Sequence, residues 1–206
     1  MNILILDYGM GNLRSVQSKL KMLGFDSTIS SEGSALKTAD RIIFPGVGHF
    51  GRAMQNLQER KLIDPLNDAV LHKKIPIMGI CLGMQLFSSY SEEGSVKGLG
   101  WIEAKTFKMD FDASKFRVPH VGWNQIKLKN PAEPFFKTVE PDKRFYFTHS
   151  YYVESTGASY EAGITDYGVP FTVVVKKENI FGTQFHPEKS RRYGLQLIDN
   201  FLKQVS

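Results

Sequence analysis

The amino-acid sequence predicts an α/β fold with a mainly parallel central sheet, helices on both faces and extra antiparallel strands in the C-terminal half. In the N-terminal half, short apolar runs each lead through a turn into a segment with helical spacing. This alternation is typical of crossover units in a parallel sheet. From Leu99 onward, β-rich segments replace it. These two sequence patterns, alternating strands and helices followed by β-rich segments, define the predicted fold class.

The first unit begins with the nearly continuous apolar run 2–6, as expected for a strand that is covered on both faces. The run ends at Asp7, and the turn 8–12 contains two glycines. Four apolar residues then follow at helical spacing: Leu13, Val16, Leu20 and Leu23. Gly24 is a suitable stop signal, so this unit reads as strand, turn and helix.

The pattern occurs twice more before the β-rich part begins. Residues 41–44, an arginine followed by three apolar residues, lead into the turn 45–48 and a helical stretch from about Arg52 to Arg60. The run 75–80 leads into Cys81 and a predicted helix through Leu82, Leu86 and Phe87. Both units support a sheet with parallel neighbours.

The C-terminal half supplies the other predicted strands and the last helix. Strand-like segments cover residues 123–128, 145–147, 171–175 and 180–185, and an apolar helical face runs from about Tyr193 to Val205. The sequence contains no linker, internal repeat or low-complexity tract. We therefore expect residues 1–206 to form a single domain.

Composition excludes several classes of function. The formal net charge is +5, but the basic residues are scattered in short pairs, which favours a solvated surface over a nucleic-acid site. A single cysteine excludes an internal disulfide and multi-cysteine metal sites, so a reducing compartment, the cytoplasm, is expected. We expect no signal peptide or membrane span, since no apolar stretch is long enough.

The single cysteine lies in an unusual local sequence. Cys81 stands between Gly79 and Gly83, directly after an apolar strand and before a helix. This is the pattern of a nucleophile elbow, in which small neighbours permit a tight turn and helical amide groups favour a thiolate. A buried structural cysteine is the common alternative. Glycines at both offsets would arise by chance about once in two hundred cysteines, given a glycine usage of about 7%.

A thiol nucleophile needs a base, and the best candidate among the five histidines is His186. His186 ends a strand-like run and is followed by Pro187 and Glu188. In an extended segment, residues two apart project to the same side, so the Glu188 carboxylate is expected to reach the imidazole. A polar surface turn is the competing interpretation of these three residues. The other histidines, His49, His72, His120 and His149, are each consistent with structural roles.

Five separated stretches carry a resemblance to a known family. GICLGMQ (79–85) and QFHPEKS (184–190) resemble the class I, triad-type glutamine amidotransferases. PGVGHFG (45–51), PHVGWN (119–124) and FTHSY (147–151) make the chain similar to the glutaminase subunits of imidazole glycerol phosphate synthases, from histidine biosynthesis. The resemblance covers nearly the whole chain, and agreement among separated motifs counts for more than any one match.

The resemblance implies a Cys81, His186, Glu188 triad. Cys81 would attack the amide carbon of glutamine, His186 would move the proton and Glu188 would orient the imidazolium. It also implies an oxyanion hole from the backbone amides of Leu82 and Val47. Glycines on either side of Val47 would let that peptide reorient at little steric cost.

The resemblance further implies residues that hold the substrate and face a partner. The implied substrate-binding residues are Gly48, Gln85, His149, Ser150 and Tyr151, although Gln85 and Tyr151 are also compatible with structural roles. The implied partner is a TIM-barrel cyclase in a heterodimer, facing Gly11 and Asn12. That cyclase would use the ammonia to make imidazole glycerol phosphate and an aminoimidazole carboxamide ribotide. No metal and no organic cofactor is implied.

Three alternatives remain open at the level of sequence. The nearest is a paralogous glutaminase subunit that supplies another synthase, such as a sugar-amidating enzyme of surface polysaccharide synthesis. A cysteine hydrolase or chaperone-like protein could use the same elbow, because a fold alone does not fix function. The third is a silent binding subunit that only regulates a synthase, which the complete triad opposes.

Overall fold

The computed structural model describes residues 1–112, 114–137, 139–140, 143–154 and 156–205. Within these residues, twelve strands form one mixed sheet and two form a separate ribbon. The strands are β1 Ile3–Leu6, β2 Ser27–Ser30, β3 Arg41–Gly46, β4 Ile77–Cys81, β5 Tyr90–Ser91, β6 Val96–Lys97, β7 Lys105–Lys108, β8 His120–Gln125, β9 Lys127–Leu128, β10 Arg144–His149, β11 Tyr151–Glu154, β12 Glu161–Tyr167, β13 Val169–Lys177 and β14 Ile180–Thr183. The α-helices are α1 Leu13–Met22, α2 Phe50–Glu59, α3 Ile63–Asn67, α4 Leu82–Gln85 and α5 Arg191–Gln204.

The centre of the sheet is parallel, as the sequence predicts. Strands β2, β1, β3, β4 and β14 are neighbours in this order, and each adjacent pair is parallel. Every residue of β1 and β4 is buried, which explains their continuous apolar sequences. The sheet then continues through β13, β11 and β7 with antiparallel pairing. The expected antiparallel strands of the C-terminal half are thereby confirmed.

Helices cover both faces of the sheet. On one face, α1 and α5 contribute Val16, Leu20, Leu197 and Phe201 to a core that includes Ile3 and Ile5. On the other face, α2 and α3 contribute Leu57 and Leu66 to a core that includes Leu4 and Leu6. The alternation along β1 divides its side chains between these two cores. The predicted class is therefore confirmed at the level of layers.

The helix after Cys81 is shorter than the sequence predicts. It ends at Gln85 instead of continuing through Phe87. The backbone carbonyls of Leu86 and Phe87 accept hydrogen bonds from the amides of Leu99 and Trp101, at 2.8 Å and 2.9 Å. These long-range bonds bend the chain into a loop that the helical spacing could not indicate.

The separate ribbon consists of β8 and β10, which pair antiparallel from His120 opposite His149 to Gln125 opposite Arg144. Its backbone is joined to the sheet because the amide of His186 donates to the Tyr146 carbonyl at 2.9 Å. The ribbon thus lies beside the carboxyl ends of β4 and β14. Among the described residues, no helix has the length and apolar character required to cross a membrane.

Candidate active site

Cys81 lies at the carboxyl end of β4 with a backbone φ of 55° and ψ of −111°. A positive φ is uncommon for a residue with a side chain and is often found where a reactive group is presented. A Cβ atom on Gly83 would lie 1.9 Å from the Phe44 carbonyl oxygen, and one on Gly79 would lie 2.6 Å from the Phe87 ring. Both flanking glycines are therefore required by close packing around the turn.

His186 and Glu188 are in direct contact. His186 Nδ1 lies 2.8 Å from Glu188 Oε1, and both side chains are only 3% exposed. The expectation of an extended segment was wrong, because residues Pro187–Lys189 form one turn of 3-10 helix. The carboxylate reaches the imidazole through this turn. The Ser190 hydroxyl fixes the turn by donating to the His186 carbonyl at 2.6 Å.

The surroundings of His186 favour its protonated form. Burial lowers the pKa of its imidazole, but hydrogen bonds and charge interactions with Cys81 and Glu188 outweigh burial and raise that pKa to about 9. Because Nδ1 donates to Glu188, Nε2 is left for the Cys81 sulfur. Within the described part of the chain, Nε2 is buried and makes no hydrogen bond, so it is available to exchange a proton with the sulfur. An imidazolium beside the sulfur stabilises a thiolate.

A cavity of about 280 Å³ opens above the sulfur. It brings together most of the residues that the family resemblance implies: Val47, Gly48, Cys81, Leu82, Gln85, His149, Ser150 and Tyr151. Glu93 and Thr148 also line it. His186 and Glu188 are not part of its lining and lie buried beside Cys81.

The loop after β3 passes next to Cys81. In the pairing of β3 with β4, Gly46 stands opposite Cys81, so Val47 and Leu82 follow side by side. Gly48 has a φ of +113°, and a Cβ atom there would lie 2.7 Å from Met10 Cε. This close approach brings the turn after β1 against the loop that contains Val47.

Gly11 and Asn12 belong to that turn, outside the cavity. Gly11 has a φ of +99°, and a Cβ atom there would lie 3.1 Å from the Pro45 carbonyl oxygen. The Asn12 side chain caps α1 by accepting a hydrogen bond from the Ser15 amide at 3.3 Å. Both residues therefore have local structural roles, and their place at a partner interface stays a prediction.

Sequence reasoning gave no role to three side chains that the structure places at or near the site. Gln184 Nε2 lies 3.7 Å from the Cys81 sulfur, and the Glu93 carboxylate accepts from the Phe50 amide at 2.7 Å while facing the cavity. His120 contacts His149 at 3.1 Å. Only Gln184 had a usable signal, because it stands two residues before His186 at the end of a strand.

The fold and this arrangement of residues define a class I glutamine amidotransferase. The family model described as Glutamine amidotransferase class-I matches residues 4–205, so the chain belongs to this family of enzymes. Within it, the chain belongs to the HisH subunits of imidazole glycerol phosphate synthase. The HisH 2 subunit of Methanococcus maripaludis is 46% identical over 98% of this chain and 100% of its own length. The HisH subunit of Leptospira borgpetersenii is 46% identical over 96% of this chain and 97% of its own.

A solved structure supports the fold independently. The structure of PurLQS from Thermotoga maritima superposes with a TM-score of 0.75, covering 98% of both chains at 17% sequence identity. At this identity the likeness concerns the fold alone. The predicted α/β architecture is thus shared with known proteins.

Proposed function

We propose that this chain hydrolyses glutamine through a Cys81 glutamyl thioester and delivers the ammonia to a cyclase subunit. The observation that carries the proposal is the Cys81, His186, Glu188 arrangement, with a 2.8 Å contact between the last two, beside a cavity that is open to a small molecule. Membership of the HisH subunits supports the same reaction.

The reaction proceeds in two halves. The Cys81 thiolate forms a bond to the side-chain amide carbon of glutamine, and His186 gives the Nε2 proton to the departing ammonia as the carbon–nitrogen bond breaks. Water then attacks the thioester, His186 accepts a water proton, and glutamate leaves as the sulfur is released. Glu188 holds the imidazole in the orientation that both halves need.

Charge develops on the former carbonyl oxygen of the substrate in both halves. Amide groups of Leu82 and Val47 are the proposed donors to this oxygen, in agreement with their adjacent positions after β4 and β3. Removing one such donor typically costs two to three orders of magnitude in kcat, or about 3–4 kcal/mol. The Val47 loop is therefore a sensitive point for control of the rate.

The cavity offers groups for the rest of the glutamine molecule. Gly48, Gln85, His149, Ser150 and Tyr151 remain the proposed substrate-binding residues, since all line the cavity. The Glu93 carboxylate faces the same space and suits the α-ammonium group of glutamine. None of these interactions requires a metal or an organic cofactor.

Free ammonia would be protonated and lost in solvent, so the proposed enzyme works in a heterodimer with a TIM-barrel cyclase. Gly11 and Asn12 are proposed to face that partner, because their turn packs against the Val47 loop. We place the complex in the cytoplasm, in keeping with the reduced single cysteine. The relatives' shared subunit name favours this client over a sugar-amidating synthase.

The test is glutamate release from glutamine by the purified chain, with and without a histidine-pathway cyclase and its nucleotide substrate. Cys81→Ala serves as the blank, and His72→Gln, an exposed histidine change, serves as a matched control. We expect the cyclase and its substrate to stimulate glutamate release strongly in the wild type and in His72→Gln, and not in Cys81→Ala. A rate unchanged by the cyclase, with Cys81 still labelled by a glutamine-like electrophile, would assign the enzyme to another synthase.

A further inference from the structure

A buried chain of hydrogen bonds leads from the two-stranded ribbon to the sulfur of Cys81. Its members, in order, are His120, His149, the Tyr151 carbonyl, Gln85, Gln184 and Cys81. The two histidines and two glutamines are all buried, and Gln184 is completely so. The hydrolytic steps proposed above assign nothing to Gln184 or His120.

The orientation of the Gln184 amide is fixed by Gln85. Gln85 Nε2 donates one hydrogen to the Tyr151 carbonyl and the other to Gln184 Oε1, each at 2.9 Å. A flipped Gln184 amide would place its NH₂ group against that of Gln85, donor against donor. The Gln184 NH₂ group must therefore face the Cys81 sulfur, at 3.7 Å.

At the other end of this series of hydrogen bonds, the tautomers of His149 and His120 are fixed. The Tyr151 carbonyl can only accept, so His149 Nδ1 carries the proton in their 2.8 Å contact. Nε2 of His149 then accepts from Nδ1 of His120 at 3.1 Å. The His120 ring is held by Tyr167 and Phe147, with ring centroids 3.9 Å and 4.8 Å away. Because both nitrogens of His149 are bonded within the protein, its ring acts on the site through the Tyr151 carbonyl, and the backbone of His149 is the part left for the proposed contact with the substrate.

The sulfur has two neighbours that favour different ionisation states. The Thr148 carbonyl, 4.0 Å away, can only accept and so favours a thiol whose hydrogen points toward it. The Gln184 NH₂ group can only donate and so favours the thiolate. These two contacts act on the sulfur in addition to the His186 imidazole, and their balance affects the direction and charge of the sulfur.

We propose that Gln184 orients Cys81 and stabilises its thiolate, and that Gln85, the Tyr151 carbonyl, His149 and His120 lock the Gln184 amide in the donating orientation. This proposal rests on the proposed function, because it assigns a role within the same glutaminase site. Gln184 is thereby a determinant of nucleophile reactivity, whereas Gln85 joins the nucleophile to the substrate pocket.

The test is the pH titration of Cys81 ionisation, followed by the ultraviolet absorbance of the thiolate. Cys81 is the only cysteine of the chain, so a Cys81→Ser blank isolates its signal. Gln184→Met keeps the length of the side chain and removes the donor. Asn200→Leu is the matched control, because Asn200 is a buried amide that donates to the Phe135 and Lys137 carbonyls, and none of these three residues lines the cavity.

We expect the Gln184→Met titration to move to higher pH by about one unit, since a hydrogen bond to a charged group is commonly worth a tenfold change or more. Glutamate release with the cyclase should then show kcat lowered about tenfold and a smaller change in KM. Asn200→Leu should reduce thermal stability and leave the titration of Cys81 unchanged.

A titration unchanged in Gln184→Met, with a raised KM, would overturn the proposal and assign Gln184 only to the support of Gln85. The titration requires neither glutamine nor cyclase. A wild-type chain that hydrolyses no glutamine even with the cyclase, and that a glutamine-like electrophile does not label at Cys81, would contradict the proposed function. A shift in the titration would still establish the contact between Gln184 and the sulfur.

Discussion

At the scale of single residues, the proposed nucleophile Cys81 has an unfavourable backbone conformation. Its φ of 55° and ψ of −111° lie outside the regions that residues with a Cβ atom usually occupy. Such conformations cost about 1–3 kcal/mol each and persist only where the surrounding structure enforces them. Here the close packing around Gly79 and Gly83 enforces the conformation, and it keeps the sulfur at the carboxyl end of β4.

This backbone strain predicts that a glycine at position 81 gives a more stable protein than an alanine, the reverse of the usual order. We expect Cys81→Gly to have a free energy of unfolding about 1 kcal/mol higher than Cys81→Ala, because glycine adopts a positive φ without steric cost. Urea denaturation of the two variants measures the difference, and both should be inactive. A more stable alanine variant, the usual order in helices and strands, would contradict a strained backbone at this position.

The protonation of His186 gives a second prediction. NMR titration of the imidazole should show a midpoint near pH 9, and Glu188→Gln should lower it, because burial opposes the charge once the carboxylate is lost. The folded pKa lies above the ordinary value of 6.5, so this group stabilises the fold fully below pH 6.5 and loses that contribution as the pH rises through 9. The resonance that disappears in His186→Gln assigns the signal, and a midpoint near 6.5 would refute the interaction with Cys81 and Glu188.

At the scale of elements, the site is assembled at the carboxyl ends of parallel strands. Cys81 ends β4, the Val47 loop follows β3, and Gln184 and His186 follow β14. Open α/β sheets commonly bind ligands at this edge. The ribbon of β8 and β10 closes one side, because Thr148 and His149 end β10 and line the cavity.

The sequence predicted the parts of this site that local patterns specify. The glycines around Cys81 and the short separation of His186 from Glu188 are visible within a few residues. The insertion of β14 between β4 and β13 is not, because strand order depends on pairings between segments about 100 residues apart. The contacts of His120 and of Gln184 with Gln85 could not be predicted for the same reason, since these partners become neighbours only after the sheet and the ribbon have formed.

The ribbon makes its own prediction about acid stability. Burial lowers the pKa of His120 to about 4, whereas an exposed histidine titrates near 6.5. Between pH 6.5 and 4, His120 is therefore protonated in the unfolded chain and neutral in the folded chain. The free energy of unfolding falls as the pH drops through this range. We expect His120→Phe, which can keep the ring between Tyr167 and Phe147, to lose less stability over this range, by up to about 3 kcal/mol. Urea unfolding at several pH values measures the slopes, with His72→Phe as control, and equal slopes for wild type and His120→Phe would contradict the burial cost.

At the scale of the whole molecule, one exposed apolar surface adjoins the site. Val118, Val121 and Trp123 are 40%, 56% and 39% exposed, and they lie on or just before β8. Val121 pairs with Thr148, which lines the cavity, so this surface continues directly from the active site. The Arg191 guanidinium lies 4.9 Å from the Trp123 ring centroid and adds a charged rim. An apolar centre with such a rim is typical of a protein interface, and we expect the proposed cyclase to cover it.

The two tryptophans of the chain report on this interface separately. Trp101 is 3% exposed and donates to Asn67 at 2.8 Å, whereas Trp123 is 39% exposed. With the chain labelled with fluorotryptophan, fluorine NMR should show the Trp123 resonance moving or broadening when unlabelled cyclase is added, while that of Trp101 stays in place.

Trp123→Phe assigns the two signals, and Trp123→Glu should weaken the complex about tenfold or more, because it places an unpaired charge in a buried apolar contact. If sedimentation shows a complex in which both resonances are unchanged, the partner binds elsewhere.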